Sequence, residues 1–120
     1  MPLALITAVM IHVPDIRQGL AWYEQAFPLA TREKSATHDF EFLRLGNVQL
    51  EIVPADEKVS SGPSGTVVYW QVTNLPQELE RLRRLGAALY RGPMRIEAGL
   101  SMCQVQDPWG NCIGLRGPAP

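Results

Sequence analysis

The hydrophobic and polar positions of this chain predict a strand followed by a helix near its beginning. Residues 3–13 are almost continuously apolar, a pattern typical of a β-strand covered on both faces. Asp15 and Gln18 follow with the spacing of a helix capping box. Apolar side chains then recur at helical intervals over residues 16–26, and Pro28 ends the predicted helix.

The same order restarts 59 positions later, with Asn74 standing where Asp15 stood. A second apolar strand is predicted over 66–72. Asn74 then caps a helix that carries leucines at helical spacing until Gly86 ends it. A chance match seldom preserves both the cap and the apolar face of a helix. The chain is therefore predicted to contain two copies of one structural module.

Short strands separated by turns follow each helix. Gly46-Asn47 tolerates the positive φ of a tight hairpin turn. The polar segment 54–65, rich in Gly, Pro and Ser, is predicted to link the two halves. Further strands are predicted near 30–37, 40–45 and 48–53 in the first half, and near 88–90, 95–97, 100–106 and 112–116 in the second.

Composition and charge narrow the possible functions. The 120 residues carry 11 basic and 12 acidic side chains, a formal charge of −1, so no electrostatic signature of nucleic-acid or membrane binding is present. No apolar run approaches the roughly 18 residues of a membrane span, and no secretion signal is apparent. We expect a cytoplasmic protein, with Cys103 and Cys112 as reduced structural thiols.

Three features together resemble the vicinal oxygen chelate superfamily of glyoxalases, bleomycin-resistance proteins and extradiol dioxygenases. They are the twofold pattern, the Val-Pro-Asp-Ile entry at residues 13–16 into a helix bearing Ala-Trp-Tyr, and the turn Asp107-Pro108-Trp109-Gly110-Asn111. The resemblance implies an α+β fold in which two tandem βαβββ modules form a curved mixed sheet around a cup-shaped pocket, with the helices on its convex side. It implies one domain over 1–120, with modules at about 3–53 and 66–117, and commonly a homodimer.

The same resemblance identifies four positions at which metal-dependent members carry ligands. Ala8 and Val67 occupy the matched positions in the first strand of each module, and neither has a donor atom for a metal ion. Glu51 fits the pattern in the first module, whereas Gly114 stands where relatives with this turn often carry Glu. One carboxylate would bind a divalent ion weakly, so we predict no metal and no other cofactor.

Strand alternation predicts a ligand pocket. Side chains two apart share a face of a strand, so the residues aligned with the ligand positions should line an apolar and aromatic hollow with a few polar groups. Trp109 lies in a turn, where a pocket mouth, a dimer seam and ordinary surface packing all remain open. The predicted pocket residues are Met10, His12, Gln49, Glu51, Tyr69, Gln71, Cys112 and Gly114.

His12 and Glu51 are the only catalytic candidates, and each has a simpler interpretation. His12 can titrate near neutral pH, but it can equally be a half-buried residue bonded to its repeat mate Gln71, or a donor to a ligand. Glu51 can serve as a base, bind a cationic ligand group, pair with His12 or remain a hydrated charge at the rim. The catalytic residues therefore remain unknown.

Two functional classes follow from these residues. The first is metal-free binding or sequestration of a small, partly aromatic molecule, and the nearly neutral chain favours an apolar or uncharged ligand. The alternative is a lyase, isomerase or dioxygenase-like enzyme that uses His12, Glu51 or a non-standard metal site. The missing ligands argue against glyoxalase I and dioxygenase activity. Ligand identity, pathway and exchange of modules between chains are not encoded in a recognisable form.

Overall fold

Each half of the chain lays one helix against a four-stranded sheet. The structure, a computed structural model, describes residues 5–36 and 39–120. The chain divides into two units between Ser60 and Ser61, a point inside the segment 54–65. Each unit has the order βαβββ, which confirms the predicted α+β fold of two tandem modules.

The first module contains one helix and a mixed sheet in the order β1-β4-β3-β2. The first strand runs parallel to the last, and the other neighbours are antiparallel. A parallel pair needs a crossover connection, and the helix supplies it. The elements are β1 (Ala8–Val13), α1 (Ile16–Ala26), β2 (Thr31–Lys34), β3 (Glu41–Leu45) and β4 (Val48–Pro54).

Helix α1 begins and ends where the sequence predicts. The Asp15 carboxylate accepts a hydrogen bond of 3.0 Å from the Gln18 backbone N–H, satisfying one of the amides that a helix start leaves without a partner. Tyr23 on this helix is fully buried, as is Val13 on β1. A Cβ atom at Gly19 would lie 2.7 Å from a Val13 methyl group, so the helix approaches the sheet at this glycine.

The second module repeats the arrangement with the sheet order β5-β8-β7-β6. The Asn74 side chain caps its helix by accepting a 3.1 Å hydrogen bond from the Gln77 backbone N–H, as predicted from the repeat. The elements are β5 (Val68–Gln71), α2 (Leu75–Arg84), β6 (Ala88–Arg95), a single 3-10 turn (Glu97–Gly99), β7 (Leu100–Gln106) and β8 (Cys112–Pro118).

Two predictions about strands are wrong. The separate strands near 88–90 and 95–97 are one strand, β6, which keeps its pairing with β7 through two irregularities of register around Arg91. The Gly92-Pro93 pair interrupts the pattern in the sequence, but the chain bulges there without leaving the sheet. After β6 the backbone turns at residues 97–99, where a strand was expected.

The first strand is also shorter and less covered than expected. It begins at Ala8, residues 5–7 lie outside it, and residues 3 and 4 lie outside the described residues. Met10 is 58% exposed whereas Val13 is fully buried, because the helix covers only one face of the sheet. No helix within 5–36 or 39–120 is long and apolar enough to cross a membrane.

Replacing Gly19 with Ala should destabilise the protein. Gly to Ala in a helix normally stabilises by about 1 kcal/mol, but here the new methyl group would overlap Val13 and Ile52 side chains at 2.7 and 2.8 Å. We expect Gly19→Ala to lower the free energy of unfolding by about 1–3 kcal/mol, measured by urea denaturation. Arg17→Ala, at an exposed position of the same helix, is the control, and a stabilised Gly19→Ala protein would contradict this packing.

Candidate functional site

The sheet face that α1 leaves uncovered, here called open face 1, carries a chain of polar side chains. The Arg44 Nε donates to both carboxylate oxygens of Glu33 at 3.1 Å, and its Nη2 donates to the Gln49 Oε1 at 3.3 Å. The Gln49 Nε2 then donates to the Glu51 Oε2 at 2.9 Å. Glu51 is thus fixed by an amide that is itself oriented by an arginine.

An aromatic ring lies beside this network. The Arg44 guanidinium carbon lies 5.3 Å from the centre of the Phe42 ring, within cation–π distance, and Phe42 is buried. Met10 pairs with Glu51 in the sheet register. His12, two positions along β1, pairs with Val53 and is half-buried, so it is a diagonal neighbour of Glu51 on the same face.

A cavity of about 600 Å³ in the first module also reaches Glu51. It lies beside the start of α1, the start of β3 and the end of β4, and it combines apolar walls with charged side chains. The lining residues are Ile16, Leu20, Lys34, Asp39, Phe40, Glu41, Glu51, Ile52, Val53 and Pro54.

The corresponding face of the second module, open face 2, is built around Tyr69. Its ring lies flat against Gly114, where a Cβ atom would be only 2.6 Å from the Tyr69 Cδ2. The Gln104 Nε2 donates to the Tyr69 hydroxyl at 2.8 Å. The Arg116 guanidinium carbon lies 4.7 Å from the centre of the ring. The tyrosine is held by the glycine beneath its ring, the amide at its hydroxyl and the arginine over its ring.

Cys112 extends this cluster, but its thiol is not activated. Its Sγ donates to the Gln104 Oε1 at 3.5 Å. Burial raises the pKa of Cys112, and the nearby Arg91 charge only partly offsets that effect. Burial alone raises the pKa of the Cys103 thiol to about 11. Both cysteines are free, and raised pKa values leave them protonated at neutral pH, which is unfavourable for a nucleophile.

A second cavity, of about 360 Å³, opens beside the Tyr69 ring at the ends of β5 and β8. This groove, here called the Tyr69 groove, has a size within the range of small-molecule sites. Gln71 pairs with Arg116 in the register at its edge. The groove is lined by Tyr69, Trp70, Gln71, Val72, Leu100, Arg116, Gly117 and Pro118.

The turn at residues 107–111, on which the family resemblance partly rests, has a structural role. Asp107 is buried, and its carboxylate accepts hydrogen bonds from the backbone N–H groups of Trp109 and Asn111 at 2.9 and 2.8 Å and from the Asn111 side-chain amide at 2.9 Å. The Asn111 Oδ1 accepts from the Gly62 backbone N–H at 3.0 Å. These bonds fix the entry to β8. Trp109 is half-buried in this turn, and its place at a pocket mouth stays a prediction.

The family model of the glyoxalase/bleomycin resistance protein/dioxygenase superfamily matches residues 5–115. The chain belongs to this superfamily. No curated protein sequence matches this chain. Solved structures of low identity share the fold. An antibiotic binding protein from Streptomyces sp. CB03234, TnmS3, has a TM-score of 0.73 at 18% identity, with 99% of each chain covered.

Two further structures carry the superfamily name. A family enzyme from Burkholderia phytofirmans PsJN gives a TM-score of 0.71 at 17% identity, covering 95% of this chain and 98% of that one. A member from Sphaerobacter thermophilus DSM 20745 gives 0.73 at 14% identity, covering 96% and 98%. At these identities the likeness shows the fold alone.

The residues at the superfamily's metal positions do not fit a metal ion. In the first module Ala8 contributes no donor, and Glu51 is bonded to Gln49. In the second, Val67 contributes no donor, and the space that a side chain at Gly114 would need contains the Tyr69 ring. A divalent transition metal usually takes three protein ligands at a catalytic site, and these positions offer one carboxylate.

The predicted pocket residues form two groups, one in each module. Met10, His12, Gln49 and Glu51 share open face 1 by register. Tyr69, Gln71, Cys112 and Gly114 share open face 2. That all eight line one pocket stays a prediction.

Sequence reasoning missed the residues that fix these groups. Arg44 and Gln104 lie on strands whose alternation was predicted, so their side of the sheet could have been deduced. Their partners could not. The Arg44 bonds join neighbouring strands, and the Gln104 bond to Tyr69 crosses from β7 to β5 over β8, so only the strand order and register define which side chains meet. The missed residues are Glu33, Phe42, Arg44, Arg91, Gln104 and Arg116.

The contact between Tyr69 and Gly114 can be tested with a double-mutant cycle. Gly114→Ala should lower the free energy of unfolding by about 1–3 kcal/mol because its methyl group overlaps the ring. In a Tyr69→Ala background the space is empty, so the same substitution should cost much less, giving a coupling energy of about 1 kcal/mol or more. Urea denaturation of the four proteins measures this.

Gly117 provides the matched control. A Cβ atom there would meet the Val72 carbonyl oxygen at 2.1 Å, a backbone atom that Tyr69→Ala does not remove. Gly117→Ala should therefore cost the same in both backgrounds. Additive effects of Tyr69→Ala and Gly114→Ala would contradict the proposed overlap.

Proposed function

We propose that this protein is a cytoplasmic, metal-free binder of a small, partly aromatic molecule. The observation that carries the proposal is Tyr69, whose ring is held against Gly114 by Gln104 and Arg116 at the edge of the 360 Å³ groove. A fixed aromatic ring binds planar ligands at low entropic cost, because its own freedom is already lost. Ligand atoms can contact the part of the ring that borders the groove.

The chemistry of the two open faces supports binding over metal-assisted catalysis. The one carboxylate at a superfamily metal position, Glu51, accepts a hydrogen bond from Gln49. At Gly114 there is no side chain, and the Tyr69 ring fills the space that one would need. The thiols have raised pKa values. Glu51 is left as an acceptor for a polar group of the ligand, with Met10 and His12 on the same face.

The structural relatives support the same class of function. TnmS3 is an antibiotic binding protein of the same fold that covers nearly all of this chain. Sequestration of an antibiotic-like aromatic compound needs a pocket and no reaction, which suits a site without a metal donor set. This likeness adds to the argument from Tyr69 and does not replace it.

A thermal-shift screen of planar aromatic compounds tests the proposal. A true ligand at 100 times its dissociation constant stabilises the folded protein by about 2.7 kcal/mol, which raises the melting temperature measurably. Tyr69→Ala should abolish the shift. Phe40→Ala is the matched control, because Phe40 is a partly exposed aromatic residue that lines the other cavity and not the Tyr69 groove.

Two results would contradict the proposal. If Phe40→Ala removes the shift and Tyr69→Ala does not, the ligand binds in the first module's cavity. If metal analysis of protein purified without chelators finds one tightly held zinc, nickel or iron ion per chain, the metal-free assignment is wrong.

We also propose that the protein is a homodimer. Strand β6 is the edge strand of its sheet, and all eight of its residues are exposed in the single chain. Leu89, Tyr90 and Met94 on this strand are 38%, 49% and 45% exposed. A long exposed edge with large apolar side chains is a surface that another chain can cover.

Light scattering of the purified protein should give twice the 13.3 kDa mass of one chain. The double substitution Leu89→Lys with Met94→Lys should shift the mass toward the monomer, because burying two ammonium groups is costly. Leu29→Lys, at a position 91% exposed in the first module, should leave it unchanged. A monomeric wild-type protein would overturn the proposal.

A further inference from the structure

The formal charge of −1 on the whole chain is the sum of opposite charges on the two modules. Residues 1–60 contain five basic and eight acidic side chains, a formal charge of −3. Residues 61–120 contain six arginines and four acidic side chains, a formal charge of +2. The module that holds Tyr69 is therefore the cationic one. A ligand at its surface meets a different potential from the one that the whole-chain charge suggests.

None of the four acidic residues of the second module lies on open face 2. Glu78 and Glu80 lie on α2, and Glu97 lies in the 3-10 turn. Asp107 lies in the turn before β8, where its carboxylate accepts three hydrogen bonds. The structure describes every residue of 61–120, so the second module itself supplies no carboxylate on the face that carries Arg91 and Arg116.

Arg116 is positioned to bind an anion. Its guanidinium lies over the Tyr69 ring and beside the groove, and within residues 5–36 and 39–120 it makes neither an ion pair nor a hydrogen bond. A guanidinium that stacks on a ring keeps its N–H donors around its own edge, where they remain able to bind a carboxylate in a bidentate manner. The stacking orients the donors before any ligand arrives.

Arg91 adds positive potential on the same face. It pairs with Gln104 in the sheet register, and Gln104 is the residue that donates to the Tyr69 hydroxyl. Arg91 lies close enough to Cys112 to stabilise a thiolate there. Arg116 on β8 lies at the groove, whereas Arg91 lies on β6, two strands further across the same sheet.

We propose that the second module binds an aromatic anion in the Tyr69 groove, with the ring of the ligand beside Tyr69 and its carboxylate or other acidic group on the Arg116 guanidinium. This inference rests on the proposed binding function and specifies its ligand class. The apolar wall of the groove, which includes Leu100 and Pro118, suits the ring, and the unneutralised arginine suits the acid. An aromatic anion takes the place of the apolar or uncharged ligand that the net charge of the whole chain favours.

Three probes with one ring system test the charge of the ligand: 2-naphthoate, 2-naphthamide and 2-naphthylmethylammonium. Calorimetric titration should show 2-naphthoate binding about tenfold more tightly than the amide, the difference expected for a charge-assisted contact, and the ammonium binding most weakly. Added salt should weaken the naphthoate and leave the amide unchanged.

Substitutions assign the effect to Arg116. Arg116→Gln should reduce naphthoate affinity to that of the amide, whereas Arg116→Lys keeps the charge and should retain part of the preference. Arg83→Gln is the matched control, because Arg83 is an exposed arginine on α2 with no ion pair to a described residue. The melting temperature of each variant verifies that it folds.

The outcomes separate the two proposals. If amide and naphthoate bind equally and both depend on Tyr69, aromatic binding stands and the anion site is wrong. If Arg116→Gln and Arg83→Gln weaken naphthoate equally, the effect is general electrostatics and the assignment to Arg116 is wrong. If none of the three probes binds, the inference fails, and the aromatic screen decides the proposed function separately.

Discussion

The parallel pairing of the first and last strands in each module is the constraint on which the rest of the structure depends. Because β1 pairs with β4 and β5 with β8, each connection must cross the sheet, and the helix occupies one face in doing so. The helix leaves the other face of the sheet uncovered. The same pairing places Met10 beside Glu51 and Tyr69 beside Gly114, which defines the centre of each candidate site.

The two modules keep this scaffold and differ in what it presents. At matched register positions Met10 corresponds to Tyr69, and Glu51 to Gly114. In the first module the Glu51 carboxylate accepts a hydrogen bond from the Gln49 amide, and Arg44 donates to that amide while it pairs with Glu33. The second module has Gly114 where the first has a carboxylate, and the Tyr69 ring lies against that glycine. A duplicated fold therefore supplies one anionic and one cationic open face from a single chain.

The elements that the sequence predicted well are those encoded locally. Asp15 and Asn74 specify the helix starts through contacts with residues three positions away, and glycines mark the turns. Arg44, Gln104 and Arg116 were missed because their role comes from side chains on other strands, and the sheet register decides which of those side chains they meet. The merged strand β6 was missed for a related reason. Its Gly-Pro interruption is local, whereas the pairing that bridges it is not.

At Gly114, packing as well as residue identity disfavours a metal ligand. Restoring a glutamate at Gly114 alone would drive its Cβ into the Tyr69 ring at 2.6 Å, and removing Tyr69 alone would leave a void above a glycine. The Gln104 amide and the Arg116 guanidinium are also oriented on that ring. Placing a carboxylate at this position therefore requires several coordinated substitutions, and each first step costs stability.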